Sequence, residues 1–373
     1  VFSACLAKAG HKVIGYDCLE KKVKLTNNGH CSIQEPGLKE LVEEQVNKKN
    51  LRATNSLEEA ILNTDVAFIC VGTPNKRDGS LDLTQIFDIA GRISEIRKDI
   101  SEDYLIIIRS TVESGTCERV QNYINETLKS NKCKNNIYCL YNPEFLREGA
   151  AIDDFMKPDR VIVGVESDKA KSIMLEIYKP LYLRDFPIMF TSLESAETIK
   201  YAANAFLATK ITFINEIAQL CEKSGADVKD VSKGMGLDGR IGDKFLHAGP
   251  GYGGSCFPKD TAALVETGKH FNSEMLITKT VIDVNENVKR RMIDKIISLL
   301  DGSIDKKVIS VFGVTFKPNT DDMREAPSLV IIPALIEKGA KIRVVDPKGY
   351  NEGKDLLNGV EWFEDVYESA ENS

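Results

Sequence analysis

The sequence predicts an α/β protein in which two Rossmann-like, doubly wound domains flank an all-α central domain with a long connecting helix. Three observations predict it. Short apolar runs alternate with helical patterns through the first half of the chain, as a parallel sheet covered by helices requires. One stretch of helical periodicity runs unbroken from Ser192 to Gly225. A second strand–helix–strand pattern begins near Lys306. The expected division is therefore residues 1–190, 191–300 and 301–373.

Composition narrows the function classes. A chain of 373 residues can build two or three cores, and 42% apolar with 28% charged residues is the balance of a globular protein in water. The net charge of −7 leaves no basic excess to neutralise phosphates, so nucleic acid is excluded as a general partner, whereas a small anion needs only a few local cations. Nine cysteines with no CxxC pair and no signal peptide point to reduced thiols and a cytoplasmic location. No apolar run approaches the roughly 20 residues that span a bilayer, so no membrane is expected. The chain opens on Val1, and the expectation is a fragment of a protein longer at both ends.

Val1–Gly10 reads as a helix stopped by a glycine, and His11–Asp17 as a short strand ending in an acid. In a dinucleotide-binding βαβ unit an acid there takes the adenosine ribose hydroxyls and favours NAD over NADP; a strand-ending Asp can equally form a turn. The glycine fingerprint of such a unit is expected ahead of Val1. Asp65–Pro74 and Tyr104–Val112 are nearly continuous apolar runs, the mark of central parallel strands, and Asn136–Phe145 and Asp159–Glu166 look like two more. Leu83–Arg97 is one of the helices between them. Ligands of such sheets bind at the carboxyl ends of the strands, which here carry Gly72-Thr73-Pro74, Ser110-Thr111 and Asn142–Glu148.

The apolar positions of 192–225, among them Ile199, Phe206, Ile211, Phe213, Ile217 and Leu220, cover more than one face. That predicts a helix buried on several sides, joining domains and contributing to a dimer. Lys200 and Asn204 share one face, either as an ammonium–amide pair that stabilises an oxyanion or as a solvated polar stripe. Asp227–Gly242 is turn-rich. Gly249–Asp260, GPGYGGSCFPKD, places four glycines before Cys256, with a helix expected from Lys259 to His270. The glycines allow close approach to a ligand, and a thiol one turn before a helix start and near Lys259 sits where a thiolate is favoured. The alternative is a surface turn with a buried structural cysteine. Asp260 is near enough to orient it or handle a proton. Met275–Leu300 closes the helical region; Lys307–Phe316, Ser328–Lys338 and Lys341–Asp346 then form the second strand–helix–strand unit.

Five segments in this order carry a resemblance: NPEFLREG at Asn142–Gly149, the Lys200/Asn204 helix, DGRIG at Asp238–Gly242, GPGYGGSCFPKD, and FKPNTDDMRE at Phe316–Glu325. With them the chain resembles the UDP-glucose 6-dehydrogenase family, within the wider nucleotide-sugar dehydrogenases. The resemblance implies oxidation of UDP-glucose to UDP-glucuronate in two NAD-dependent steps without release of the aldehyde. It implies Cys256 as nucleophile, Lys200 and Asn204 as oxyanion donors, and Asp260, Thr111 and Glu144 as the groups that position or activate water. For NAD it implies Asp17, Lys22, Thr73, Thr111, Glu148, Lys259 and Arg324. For the UDP-sugar it implies Glu144, Phe145, Leu146, Arg147 and Glu148, together with Lys200 and Asn204. It adds the loop Phe245, Leu246, His247, Ala248 and Gly249, and then Tyr252, Gly253 and Lys317. Arg240 is similar to an arginine that reaches a neighbouring subunit's substrate, in keeping with a homodimer or higher oligomer through 192–225. No metal is implied.

Four alternatives remain. A GDP-mannose dehydrogenase shares the chemistry and a GGSC loop; a UDP-N-acetylmannosamine dehydrogenase more often has histidine where Ser255 stands. A two-electron hydroxyacid dehydrogenase of similar architecture needs the lysine and asparagine but no cysteine. A non-enzymatic nucleotide-sugar binder needs none of the three.

Overall fold

The computed structural model describes residues 1–130, 136–181 and 186–373. Two compact units divide them, Val1–Lys200 and Tyr201–Ser373.

In the first unit the order is α1 (Phe2–Lys8), β1 (Val13–Tyr16), α2 (Glu20–Asn27), α3 (Leu38–Asn47), β2 (Leu51–Thr54), α4 (Leu57–Leu62) and β3 (Val66–Ile69). It continues with α5 (Thr84–Arg97), β4 (Tyr104–Ile108), α6 (Thr116–Ser130), β5 (Ile137–Tyr141), α7 (Ala151–Met156), β6 (Val161–Gly164), α8 (Asp168–Tyr178) and β7 (Ile188–Thr191). Strands β1 and β2 pair in parallel, and β3-β4-β5-β6-β7 form a second sheet. All five residues of β4 are buried, which is why that strand reads as an unbroken apolar run. Gly10, at φ +105°, ends the first helical segment as the sequence predicts. The core gathers Leu6 and Ala7 of α1, Leu38 and Leu41 of α3, Ile107 of β4, Leu140 of β5 and Met174 of α8.

One strand departs from expectation. β6 meets β5 antiparallel, through Tyr141 and Gly164. The connection carries only the six-residue α7, too short to cover the sheet as a crossover helix does. The other described pairings in this sheet are parallel.

Helix α9 (Leu193–Ser224) runs from the end of the first unit into the second. Then follow α10 (Val228–Gly236), α11 (Phe257–His270), α12 (Leu276–Leu299), β8 (Val308–Phe312), α13 (Ser328–Glu337), β9 (Lys341–Val345), α14 (Tyr350–Leu356), β10 (Val360–Trp362) and α15 (Val366–Ala370). Strands β10-β9-β8 form a parallel sheet over a core of Ile332, Leu335, Ile342 and Val344. One reading is corrected here. Most of the turn-rich 227–242 is helix α10, because the Asp227 side chain caps its first turn by accepting from Lys229 N–H at 2.7 Å. On α9, Phe206, Phe213 and Leu220, spaced by seven, are 65%, 46% and 61% exposed, so an apolar stripe of the helix faces out in the single chain. Among the described residues no helix is long and apolar enough to cross a membrane.

Candidate active site

In the second unit the site is built on the turn into α11. Cys256 is the N-cap residue itself, not one turn upstream, because Phe257 and Pro258 already have helical backbone. The thiol is exposed and 3.6 Å from Ser255 Oγ, so the buried structural cysteine is excluded. No side chain caps this helix start. One turn on, Asp260 is 1% exposed and both its oxygens are engaged. Asn204 Nδ2 of α9 donates to Oδ2 at 2.5 Å, and Lys259 Nζ to Oδ1 at 2.7 Å. Lys259 is thereby held to Asp260. Asn204 itself is 7% exposed, which rules out the solvated stripe for its part of the helix.

Gly253 and Gly254, just before Cys256, stand against the protein's own atoms. A Cβ at Gly253 would fall on the Glu325 carbonyl oxygen, and one at Gly254, where φ is +84°, would lie 2.6 Å from the Phe316 ring. Gly254 N–H donates to Arg324 C=O at 2.8 Å. The glycine loop and the charged loop 316–325, separate motifs in the sequence, are thus packed backbone to backbone. Arg324 is bound bidentately to Asp322 at 2.6 and 2.9 Å, and Lys317 Nζ lies 5.3 Å from the Phe316 ring centroid.

The residues expected to form the substrate loop divide by burial. Leu246 and Tyr252 are buried; His247, Ala248 and Gly249 are exposed. Burial pushes the Tyr252 hydroxyl up to about 12. Phe245 has φ +65°, and its ring stands 6.1 Å from that of Phe257. Ser232 Oγ donates to Leu246 C=O at 2.5 Å. Arg240 is exposed and pairs within its own turn with Asp238 at 2.6 Å.

In the first unit the strand ends converge as the sequence predicts. Thr73 Oγ1 donates to Thr111 C=O at 2.9 Å, tying the ends of β3 and β4. Lys200, 5% exposed, donates to Glu144 C=O at 2.5 Å and lies 5.2 Å from the Phe145 ring, so it too is no solvated stripe. Leu146 N–H is held by Glu144 Oε1 at 2.9 Å. Arg147 forms a two-point pair with Asp154 at 2.7 and 3.0 Å. Glu148 follows, half-buried. Asp17 accepts from Leu19 N–H at 2.9 Å and pairs with Lys22 at 3.4 Å, while staying partly exposed at the end of β1. It therefore forms a turn and still presents a carboxylate. A carboxylate at the end of β1, and Thr73 and Thr111 at the ends of β3 and β4, are residue types that fit a dinucleotide's ribose and phosphate oxygens.

Three supporting residues escaped the sequence reading. Arg109 is buried against Glu144, with Nη2 2.8 Å from Oε2, while Nη1 donates to Asn142 Oδ1 at 2.8 Å. Burial works against its charge, but the adjacent Glu144 prevails and raises its pKa. Glu35 accepts from Gly149 and Ala151 N–H, both at 2.8 Å, fixing the loop that carries Glu144–Glu148. Glu197, fully buried one turn before Lys200, accepts from Gly115 N–H at 2.6 Å and Cys117 N–H at 2.8 Å at the start of α6. The one available signal was a charged residue inside an apolar pattern, visible at Arg109 after Ile106–Ile108. Among the described residues no group of three or more His, Cys, Asp or Glu could hold a metal ion.

Comparison with known proteins extends these geometries. The UDP-glucose/GDP-mannose dehydrogenase family matches in three successive blocks: its NAD binding domain over residues 1–182, its central domain over 194–287 and its UDP binding domain over 310–373. The UDP-glucose 6-dehydrogenase of Rhizobium meliloti (strain 1021) is 46% identical over 373 residues, covering 99% of this chain and 84% of that protein. The UDP-glucose 6-dehydrogenase TuaD of Bacillus subtilis (strain 168) is 44% identical over 374 residues, covering 100% of this chain and 79% of that protein. Among solved structures, a UDP-glucose dehydrogenase from the hyperthermophilic archaeon Pyrobaculum islandicum matches with a TM-score of 0.94 at 37% identity, over 99% of this chain and 84% of that one.

Proposed function

Because the chain belongs to the UDP-glucose/GDP-mannose dehydrogenase family, we propose that it oxidises UDP-glucose to UDP-glucuronate, with Cys256 holding the aldehyde between two oxidations. It is an NAD-dependent oxidoreductase. Identities of 46% and 44% to UDP-glucose 6-dehydrogenases, against 31% to a GDP-mannose dehydrogenase of Pseudomonas aeruginosa, support UDP-glucose over GDP-mannose. The observation that carries the mechanism is the exposed thiol on an uncapped helix start, one turn from a buried carboxylate bonded to Asn204.

NAD, when bound at Asp17, Lys22, Thr73, Thr111, Glu148, Lys259 and Arg324, supplies a hydride acceptor, and two are used in succession. In the first oxidation C6 loses a hydride and its hydroxyl a proton, leaving the aldehyde. Cys256 Sγ then forms a bond to the aldehyde carbon and the oxygen gains a proton, giving a thiohemiacetal. Loss of a second hydride from C6 and a proton from that oxygen leaves a thioester. Water adds, the C–S bond breaks, and the uronate departs with Cys256 regenerated. We assign Lys200 and Asn204 to donate to the C6 oxygen as charge develops. Asp260, Glu144 and Thr111 orient the hydrolytic water. The residues of the NPEFLREG loop, the 245–249 loop, Tyr252, Gly253 and Lys317 hold the sugar nucleotide.

The three-part division of the chain, the cytoplasmic location and a homodimer through α9 belong to the same proposal. Eight described cysteines without a disulfide support a reducing compartment, and the outward Phe206–Phe213–Leu220 stripe supports a second copy there, with Arg240 offered across it. The test is the full-length protein with NAD and a panel of UDP-glucose, GDP-mannose and UDP-N-acetylmannosamine. NADH and uronate from UDP-glucose, with loss of uronate in Cys256→Ser, are expected. Preference for another sugar nucleotide, or unchanged turnover in Cys256→Ser, overturns the reading.

A further inference from the structure

We propose that Asn215 is a positioning residue for the substrate loop, kept for that bond and not for the stability of the fold, with Asn285 as the loop's second anchor. The inference rests on the reading of 245–253 as the sugar-nucleotide loop. Asn215 lies on α9 and is 2% exposed. Its Oδ1 accepts from Gly249 N–H at 2.7 Å, and this fixes the amide: the oxygen must face the N–H. Nδ2 is then turned into the interior, where it has no protein acceptor.

Three residues along the loop, Asn285 of α12 grips Tyr252 from both sides. Its Oδ1 accepts from Tyr252 N–H at 2.8 Å and its Nδ2 donates to Tyr252 C=O at 3.1 Å. Gly251, between the anchors, has φ +107°, and a Cβ there would stand 2.9 Å from Asn285 Oδ1. The backbone therefore runs against Asn285 at a separation that only glycine permits.

The two anchors differ in what they do for stability. Both polar atoms of Asn285 are paired with backbone of the buried Tyr252, so removing it orphans groups in the interior. Gly249 is exposed, and its N–H would be hydrated without Asn215. An apolar side chain of similar size at 215 would bury no unpaired donor, so the native amide is explained by where it puts Gly249.

The test compares Tm and the KM for each substrate in the full-length protein. Asn215→Leu is expected to keep or raise Tm while raising the KM for UDP-glucose roughly three- to tenfold, the worth of one neutral hydrogen bond, with the KM for NAD unchanged. Asn215→Asp, which retains the acceptor, brings the KM for UDP-glucose back towards wild type. Asn285→Ala raises the same KM and lowers Tm. If wild-type protein forms no NADH from UDP-glucose, the functional reading fails and this inference with it. If wild type turns over but Asn215→Leu keeps its KM, or loses Tm and both KM values together, the positioning role alone is overturned.

Discussion

Asn204 on α9 and Asp260 on α11 meet side chain to side chain, Nδ2 to Oδ2 at 2.5 Å, with Asp260 all but sealed from water. A residue assigned to the C6 oxygen and a residue assigned to water are thus one hydrogen-bonded unit. Groups in one network couple, so their deletions do not add. In a double-mutant cycle of Asn204→Ala and Asp260→Asn, each single change is expected to lower kcat by on the order of 10²–10³. The double variant should fall short of the product by at least ~1 kcal/mol. Additive losses would show the two acting separately.

Arg109 makes a prediction about the fold under Glu144. Its guanidinium is 7% exposed and its carboxylate partner 32%, so cutting the pair strands a charge that is largely dry. Arg109→Met is expected to destabilise by about 3 kcal/mol in a denaturant titration. Arg109→Met with Glu144→Gln should recover part of that loss; no recovery would mean the cost lies in packing against Phe2, whose ring centroid is 3.9 Å from the guanidinium.

Two carboxylates predict opposite pH dependence. Burial raises the Glu197 pKa above 4.5, even though two backbone N–H groups oppose it. The folded state then binds the proton more tightly than the unfolded state, so Glu197 contributes stability below its unfolded pKa that is lost as pH rises through the folded one. At Asp346 burial also pulls upward, but N–H groups of Gly349, Val314, Lys348 and Thr315 win and lower it below 3.8. Its contribution is present above that value and lost as pH falls through the folded pKa. The stability gap between wild type and Glu197→Gln should therefore widen on acidification from neutral pH, and the gap to Asp346→Asn should narrow towards pH 3. Chemical denaturation at several pH values checks both; parallel profiles would refute the assignment.

The glycine loop predicts a contrast within itself. Nothing lies within 4 Å of a Cβ built at Gly249, whereas at Gly253 the Glu325 carbonyl already fills the space. Gly249→Ala should leave Tm near wild type, while Gly253→Ala forces backbone apart and costs about 1–3 kcal/mol. Equal Tm values in scanning calorimetry would contradict the packing described.

What was legible in the sequence follows physical rules. Buried strands announce themselves: β4 reads as Tyr104–Ile108 because every one of its residues is covered. So does α9, whose period persists over its full length. The four-residue β2, with Arg52 exposed between covered neighbours, has too little pattern to read, and α10 was hidden because its capping Asp and its glycines resemble turn residues. The antiparallel β6 is a matter of topology, which composition does not record. Of the candidate site, Cys256, Asn204 and Asp260 were readable as residue types, but their pairing was not. Lys259 illustrates the limit: its bond to Asp260 depends on side-chain geometry that adjacency in sequence does not record. Arg109, Glu35, Glu197 and Asn215 bond to backbone or charge far along the chain, and long-range partners leave no local trace.

In the proposed reaction Cys256 retains the aldehyde through a second oxidation. The most direct measurement is NADH formed per UDP-glucose consumed by the full-length protein, followed to completion with the product identified by mass. Two NADH per UDP-glucuronate, with no free aldehyde, is the expected result. One NADH per substrate and an accumulating aldehyde would contradict it.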